Sequence, residues 1–272
     1  VMSKGFIWFA LNNKKTDYVT LSERLGASIK KHNKNNKTCI ITDNHMLQIP
    51  GAVKNIDHVE LIKENTNPQE EWNLSNEWQV FNLTPFTHTI KLEADMLLDC
   101  NIDHWWYHLH QHNMVFSWNC RNFQDDIVTD TPYRKLFKQN ALPNIYSGLT
   151  YFRKSIFAEK FYQLCRHITK NWNKVKETCL VNCHDKQPTT DVVYALALKI
   201  MDPTNDKKID YDFFKFVHNK KAVNKITKPI DTNDYLYPMI VDNKLYVGGY
   251  KMNRLWHYHD KNVPEDLDAR IF

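Results

Sequence analysis

KLEADMLLDCNID, residues 91–103, sets two acids, Glu93 and Asp95, into an otherwise apolar run of Leu92, Ala94, Met96, Leu97 and Leu98. Burying a charge is costly unless it is paired or holds a metal. The stretch overlaps THTIKL (87–92), which reads as a strand, so both acids stand where that strand stops. Just upstream, NLSNEWQVFNLTPF (73–86) predicts a helix ending near Pro85. In open α/β sheets, ligands bind outside the carboxyl ends of the strands. The pair is therefore expected at the rim, facing the crevice that such sheets use.

Working outward, KGFIWFALNN (4–13) is a continuous apolar run closed by Asn-Asn and predicts a buried strand. Tyr18, Val19, Leu21, Leu25 and Ile29 then recur at helical spacing, with Lys30 and Lys31 near the end, where they suit the helix dipole. KTCIITD (37–43) predicts the next strand, and VKNIDHVELI (53–62) a short third one. Strand, helix, strand begins a doubly wound α/β sheet.

Downstream, NMVFSWNC (113–120) predicts a strand, and NIYSGLTYFRKS (144–155) a loop followed by a strand. IFAEKFYQLCRHITKNW (156–172) predicts a long amphipathic helix. Thr189-Thr190-Asp191 opens VVYALALKIM, with Thr190 or a neighbour as its cap. MIVDNKLYVGGY (239–250) predicts a hairpin about Asp242-Asn243. No repeat, low-complexity segment or linker interrupts the chain. The expectation is one α/β domain over 1–272 with C-terminal elaborations, its 1–110 half binding a nucleotide and its 111–272 half an acceptor.

Composition narrows the class. The 272 residues are 42% hydrophobic and 25% charged, which argues against disorder. No uncharged apolar run approaches the ~18 residues of a membrane helix. The N-terminal segment lacks a signal peptide's long apolar region, so a cytoplasmic location with reduced thiols is expected for the six cysteines. Cys179, Cys183 and His184 lack the second ligand pair of a zinc finger. The net charge of +5 tolerates a polyanion without demanding one. Basic residues cluster over 215–228 and again at Lys251, Arg254 and Lys261. His104, His108, His110 and His112 read as an exposed polar face, and Trp72, Trp78, Trp105, Trp106 and Tyr107 as packing.

Alternate acids at a strand end suit hard divalent cations. Mg²⁺ or Mn²⁺ commonly bridges one or two carboxylates and a substrate diphosphate. Taken alone, the pair also reads as two acids capping backbone N–H groups on a turn. Its company decides. EWQVFNLTPFTHTIKLEADMLLDCNID resembles the corresponding segment of glycogenin-type, GT-A fold glycosyltransferases: a helix, Leu-Thr-x-aromatic, a strand, Asp-Ala-Asp-x-Leu, then Asn-Ile-Asp. GFIWFALNN with Tyr18 and LGASIKKHN is similar to that family's first strand and helix. IYSGLTYFRKS, QPTTDVVYALA and LWHYHDK resemble its later segments, in the same order.

The resemblance implies an α/β GT-A (Rossmann-like) mixed sheet flanked by helices, a UDP-sugar donor and a Mn²⁺ or Mg²⁺ cofactor. It implies Asp95 and His257 as metal ligands, with Glu93 meeting the metal or a ribose. His259 competes with His257, being two residues away on the same strand face. It implies Leu11, Asn12 and Tyr18 in the uracil pocket, Ser147 and Gly148 near the sugar, and Asp191 near the anomeric carbon. Asp191 also reads as an ordinary helix N-cap. Three departures stand out: Glu93 for an Asp, Tyr146 for an Asn, and Glu77 for a base. The last leaves phosphate contacts to Lys251, Arg254 or Lys261.

The basic, Lys/Asn-rich chain also resembles the small glycosyltransferases of T-even-like bacteriophages, which decorate 5-hydroxymethylcytosine with glucose or arabinose. That resemblance implies a DNA acceptor in a host cytoplasm, with Arg121, Arg134, Lys220 and Lys221 as candidate contacts beside Lys135 and Lys138. A lipopolysaccharide or other saccharide acceptor is the alternative. Two other classes stay open: a nucleotidyltransferase, against which ALNNKKTD lacks a glycine-rich phosphate loop, and an inactive nucleotide-sugar-binding module.

Overall fold

The computed structural model describes residues 3–65, 73–204, 206–227, 235–258 and 261. Its principal sheet has six strands: β1 (Lys4–Phe9), β2 (Lys37–Thr42), β3 (His58–Leu61), β4 (His88–Lys91), β6 (Met114–Trp118) and β9 (Ile145–Arg153), in the order β3-β2-β1-β4-β9-β6. The first four run parallel, and β9 runs antiparallel to both β4 and β6. The sheet is therefore mixed, as expected.

A second sheet, in the order β5-β14-β10-β7-β8, is built from β5 (Met96–Leu98), β7 (Cys120–Arg121), β8 (Ile127–Val128), β10 (Phe216–His218) and β14 (Leu255–His257). A small third sheet holds β11 (Pro238–Val241), β12 (Lys244–Val247) and β13 (Tyr250–Lys251). The helices are α1 (Tyr18–His32), α2 (Val80–Leu83), α3 (Asp103–Leu109), α4 (Lys135–Gln139), α5 (Ile156–Lys170), α6 (Trp172–Cys179) and α7 (Thr190–Met201).

Alternation along β1 explains the layering. Phe6 and Trp8 pack with Leu21, Leu25 and Ile29 of α1 on one face. Ile7 points the other way, into the layer that holds Phe161 of α5 and Val193 of α7. Trp78, Trp105 and Trp106 are core residues as expected, whereas Tyr107 is exposed; Trp72 lies outside the described residues.

Several elements depart from the sequence reading. Residues 73–79 form a 3-10 helix, with only Val80–Leu83 α-helical. Ser75 through Val80 are buried without a break, so no polar face exists for a regular amphipathic helix to turn outward. Within 144–155 the strand β9 already begins at Ile145, leaving only Asn144 as loop before it. The 156–172 helix ends at Lys170, and a second helix starts at Trp172. The hairpin matches its expectation: Asp242 and Asn243 both take positive φ, 49° and 58°, as a tight primed turn requires.

Candidate functional site

Glu93 and Asp95 lie in the short link between β4 and β5, at the end of β4. Strand β14 pairs antiparallel with β5, setting His257 opposite Met96, and the Tyr258 N–H donates to the Asp95 carbonyl at 3.1 Å. A strand late in the chain is thereby sewn to the acidic link. His257 Nε2 lies 3.0 Å from Asp95 Oδ2 and 3.3 Å from Glu93 Oε2. One ligand atom from each of the three lies within 4.8 Å of the others, the one such group among the described residues. His259 lies outside the described residues.

Electrostatics tie this group together. Burial alone would raise the Asp95 carboxyl, but His257 and the Lys261 ammonium, which donates to Asp95 Oδ2, hold it far below the usual range. Burial would lower the His257 imidazole; Asp95 and Glu93 reverse that and raise it. Such a set of one imidazole and two carboxylates, gathered where a metal-free interior would disfavour two charges, suits Mn²⁺ or Mg²⁺. The His218 ring stacks on His257 at 4.5 Å and 8°, which fixes the plane of the imidazole.

The other expected residues surround this group. Leu11 and Asn12 follow β1, and Asn12 is knitted to the start of α1: its Oδ1 accepts from the Val19 N–H at 3.1 Å, and its Nδ2 donates to Asp17 at 3.0 Å. Asp17 caps α1, accepting from Val19 and Thr20. Tyr18, raised chiefly by burial, lies 5.7 Å below Lys261 Nζ and feels the charges of Asp95 and Glu93.

Ser147 and Gly148 sit at a bulge in β9. Thr150 pairs with Phe116 and Tyr146 with Ser117, so residues 147–149 have no partners on β6. Gly148 is needed for close approach. A Cβ there would stand 3.0 Å from the Glu93 carboxyl carbon and 3.1 Å from its Oε2.

Asp191 is not the cap of α7. Thr189 caps it, accepting from the Val192 N–H, and Asp191 turns inward from the first turn. Its Oδ1 accepts from the Ser147 N–H at 2.7 Å and Oγ–H at 2.8 Å; its Oδ2 accepts from Arg134 at 2.7 Å.

This corrects the reading of Arg134 as a DNA contact. The side chain is buried, with its guanidinium 3.7 Å from the Tyr146 ring centroid. Arg121 is likewise buried and bonded to Asp212 and to the Asp125 carbonyl, so neither guanidinium faces outward to a phosphate. Arg254 bonds Asp125 and Asp212. Lys251 stands exposed on β13 in the small outer sheet, with no bond to the Asp95 group among the described residues. Lys221 is exposed, whereas Lys220 turns into the site. Lys228, the end of that basic cluster, lies outside the described residues.

Sequence reasoning missed the buried ion pair beneath the site. Lys91 and Glu77 meet at 2.5 Å, and Lys91 also donates to the Ser147 carbonyl at 3.2 Å. Burial, with help from Glu93 and Asp191, pushes the Glu77 carboxyl up to about 7 despite Lys91. The signal was present: a lone lysine in an apolar strand, and an acid where the resembled family tends to have a base. Tyr146, the other departure, is buried, its hydroxyl 2.9 Å from that of Tyr133. It supports Arg134.

No family model matches the chain, and no curated protein matches its sequence. Solved structures do. Mouse xyloside xylosyltransferase 1 in its apo form aligns with 97% of this chain and 100% of its own, at TM-score 0.55 and 10% identity. The galactosyltransferase LgtC, solved with donor and acceptor sugar analogues, aligns with 98% of this chain and 94% of its own, at TM-score 0.53 and 10% identity. The chain has the GT-A fold. The bifunctional glycosyltransferase WbbM matches 66% of this chain at TM-score 0.42 and 11% identity; the chain spans only 38% of that protein, and this likeness carries no weight. Within a GT-A sheet, Glu93, Asp95 and His257 occupy the rim at the carboxyl end of β4.

Proposed function

We propose that this GT-A protein is a divalent-metal-dependent glycosyltransferase that moves a sugar from a UDP-sugar to an acceptor hydroxyl. The observation that carries the reading is the Glu93–Asp95–His257 group, gathered at the strand-end rim of a GT-A sheet. Those three side chains would hold Mn²⁺ or Mg²⁺, which when bound supplies Lewis-acid neutralisation of a departing diphosphate.

The chain's own residues do the rest. The Leu11–Tyr18 segment, fixed to the N-terminus of α1 by Asn12 and Asp17, receives the base. Ser147 and Gly148 offer backbone at the bulge, where the missing Cβ lets Glu93 and Met96 pack close. Asp191 lines the sugar side. Its charge is already engaged by Arg134 and its Oδ1 by Ser147, which makes it a poor nucleophile. It orients the sugar and offsets positive charge at the anomeric carbon. Transfer then proceeds by front-face attack of the acceptor hydroxyl, with retention.

For the acceptor, a saccharide is favoured over 5-hydroxymethylcytosine in DNA. Of the six basic residues expected on DNA, Arg121 and Arg134 are engaged internally and Lys220 turns into the site, which leaves Lys135, Lys138 and Lys221 exposed. LgtC with its bound acceptor sugar analogue favours the same choice by analogy.

The test is incubation of the protein with Mn²⁺, a panel of UDP-sugars, and either saccharides or hydroxymethylcytosine DNA, read by UDP release and mass spectrometry. UDP release and a saccharide mass gain, both lost in Asp95→Ala, support the reading. A mass gain on the modified base instead would move the acceptor to DNA. No UDP release from any donor would remove the enzyme reading.

A further inference from the structure

Four described cations surround the site, and three of them already meet a carboxylate there. Arg134 holds Asp191, Lys91 holds Glu77, and Lys261 holds Asp95. The fourth is Lys220, which makes no ion pair with a described carboxylate. It is not a loose surface arm. Asn219, just before it, donates to the His257 carbonyl at 2.9 Å, continuing the pairing of β10 with β14. The Lys220 carbonyl accepts from Asn224 Nδ2 at 2.8 Å and from the Val223 N–H at 3.0 Å, which closes a tight turn. Its ammonium rests 4.1 Å from the Tyr133 ring centroid, and Tyr133 bonds Tyr146 beneath Arg134. Backbone and side chain are both held, so the ammonium has a defined place.

That place lies between the two sides of the site: the residue before it is tied to His257 of the acid–imidazole group, and Tyr133, on which its ammonium rests, bonds Tyr146 under Arg134, the partner of Asp191. Asp191 marks the sugar side of the site and Glu93 the metal side. A half-buried cation between them, with no anion of its own among the described residues, stands where a donor's sugar–phosphate bond would lie. Desolvating an ammonium is unfavourable unless an anion meets it.

We infer that Lys220 binds the nucleotide diphosphate of the donor, at the phosphate oxygen that leaves the anomeric carbon. The inference rests on the glycosyltransferase reading above. In the step it serves, the bond between the anomeric carbon and that oxygen breaks, and the electron pair stays on the phosphate. The acceptor oxygen bonds the same carbon and gives its proton to a phosphate oxygen. Negative charge grows on the diphosphate as this happens, so a fixed ammonium there is worth more in the transition state than in the resting complex.

The test compares UDP with uridine, which lacks phosphate, by calorimetric titration with Mn²⁺ present, in the wild type, Lys220→Met and Lys220→Arg. Loss of one charge-assisted contact weakens UDP about tenfold in Lys220→Met, while uridine binds as before and Lys220→Arg keeps most of the UDP affinity. In UDP-sugar turnover, Lys220→Met lowers kcat more than it raises KM. Thermal unfolding of both variants matches that of the wild type. Unchanged UDP affinity in Lys220→Met overturns the inference, as does a loss that is equal for UDP and uridine. A variant that binds UDP normally but loses a DNA acceptor also overturns it, in favour of a nucleic-acid contact. A wild type that neither binds UDP nor cleaves a UDP-sugar refutes the glycosyltransferase reading itself.

Discussion

His257 Nε2 stands 3.0 Å from Asp95 Oδ2, across a separation of 162 residues. The pairing of β14 with β5 creates that contact, and the stacked His218 ring holds the imidazole against it. The acid–imidazole group is thus a product of strand register as much as of side-chain choice. A one-residue slip of β14 would turn His257 to the opposite face.

Gly148→Ala tests how closely the bulge approaches the acids. The added methyl would meet the Glu93 carboxyl carbon at 3.0 Å and Met96 at 3.1 Å, so Glu93 must shift by a few tenths of an ångström. The expected result is weaker Mn²⁺ binding, by about tenfold, with a stability loss of about 1 kcal/mol or less. Mn²⁺ titration and thermal melts check both. Unchanged metal affinity would mean that Glu93 is not a ligand.

Asp191→Asn keeps the shape and the Ser147 contacts but turns an amide toward Arg134. With Asp191 on the sugar side, as proposed, the expected loss is about a hundredfold in kcat with UDP affinity unchanged. Steady-state kinetics beside UDP titration separate the two. A variant that loses UDP binding instead would put Asp191 at the wrong end of the donor.

The buried Lys91–Glu77 pair is expected to be costly to break and tolerant of joint replacement. Lys91→Met leaves a buried carboxylate alone, at a cost of about 3 kcal/mol, whereas Lys91→Met with Glu77→Leu recovers most of it. Chemical denaturation of the single and double variants measures the difference. Equal losses in both would show that the two charges do not depend on each other.

Asp57 supplies a pH dependence well away from the site. Burial would raise its carboxyl, but Lys30 at 2.5 Å, Lys37 at 2.9 Å and the Thr38 N–H and hydroxyl hold it far below the usual value. A depressed folded-state value stabilises the fold above the unfolded value of about 3.9, and that contribution fades as the pH falls through the folded value. Asp57→Asn should therefore cost about 1 kcal/mol at pH 7, with the gap to wild type closing below about pH 4. Melts across that range check it; a gap as large at pH 2 as at pH 7 would assign the loss to packing.

Legibility from sequence followed the range of the forces involved. The Asp242-Asn243 hairpin was readable because turn chemistry is local, and β1 because a central strand must be apolar on both faces. The acids were readable because charge in an apolar run is conspicuous. The 3-10 segment at 73–79 was not, because the burial of its polar residues from Ser75 on involves distant partners such as Lys91, which meets Glu77. The surroundings of Arg134 and Lys220 were not legible for a related reason. A lone basic residue carries no local mark of whether Asp191, Tyr133 or solvent will meet it.

The central claim is that Glu93, Asp95 and His257 hold a divalent cation at which a nucleotide diphosphate binds. Titration of Mn²⁺ into the protein with UDP present, followed by electron paramagnetic resonance of the free ion, tests it without relying on turnover. The account predicts a single tight ion per chain in the wild type, weakened at least tenfold in Asp95→Ala and in His257→Ala. No bound Mn²⁺ in the wild type, or equal binding in all three proteins, would contradict it.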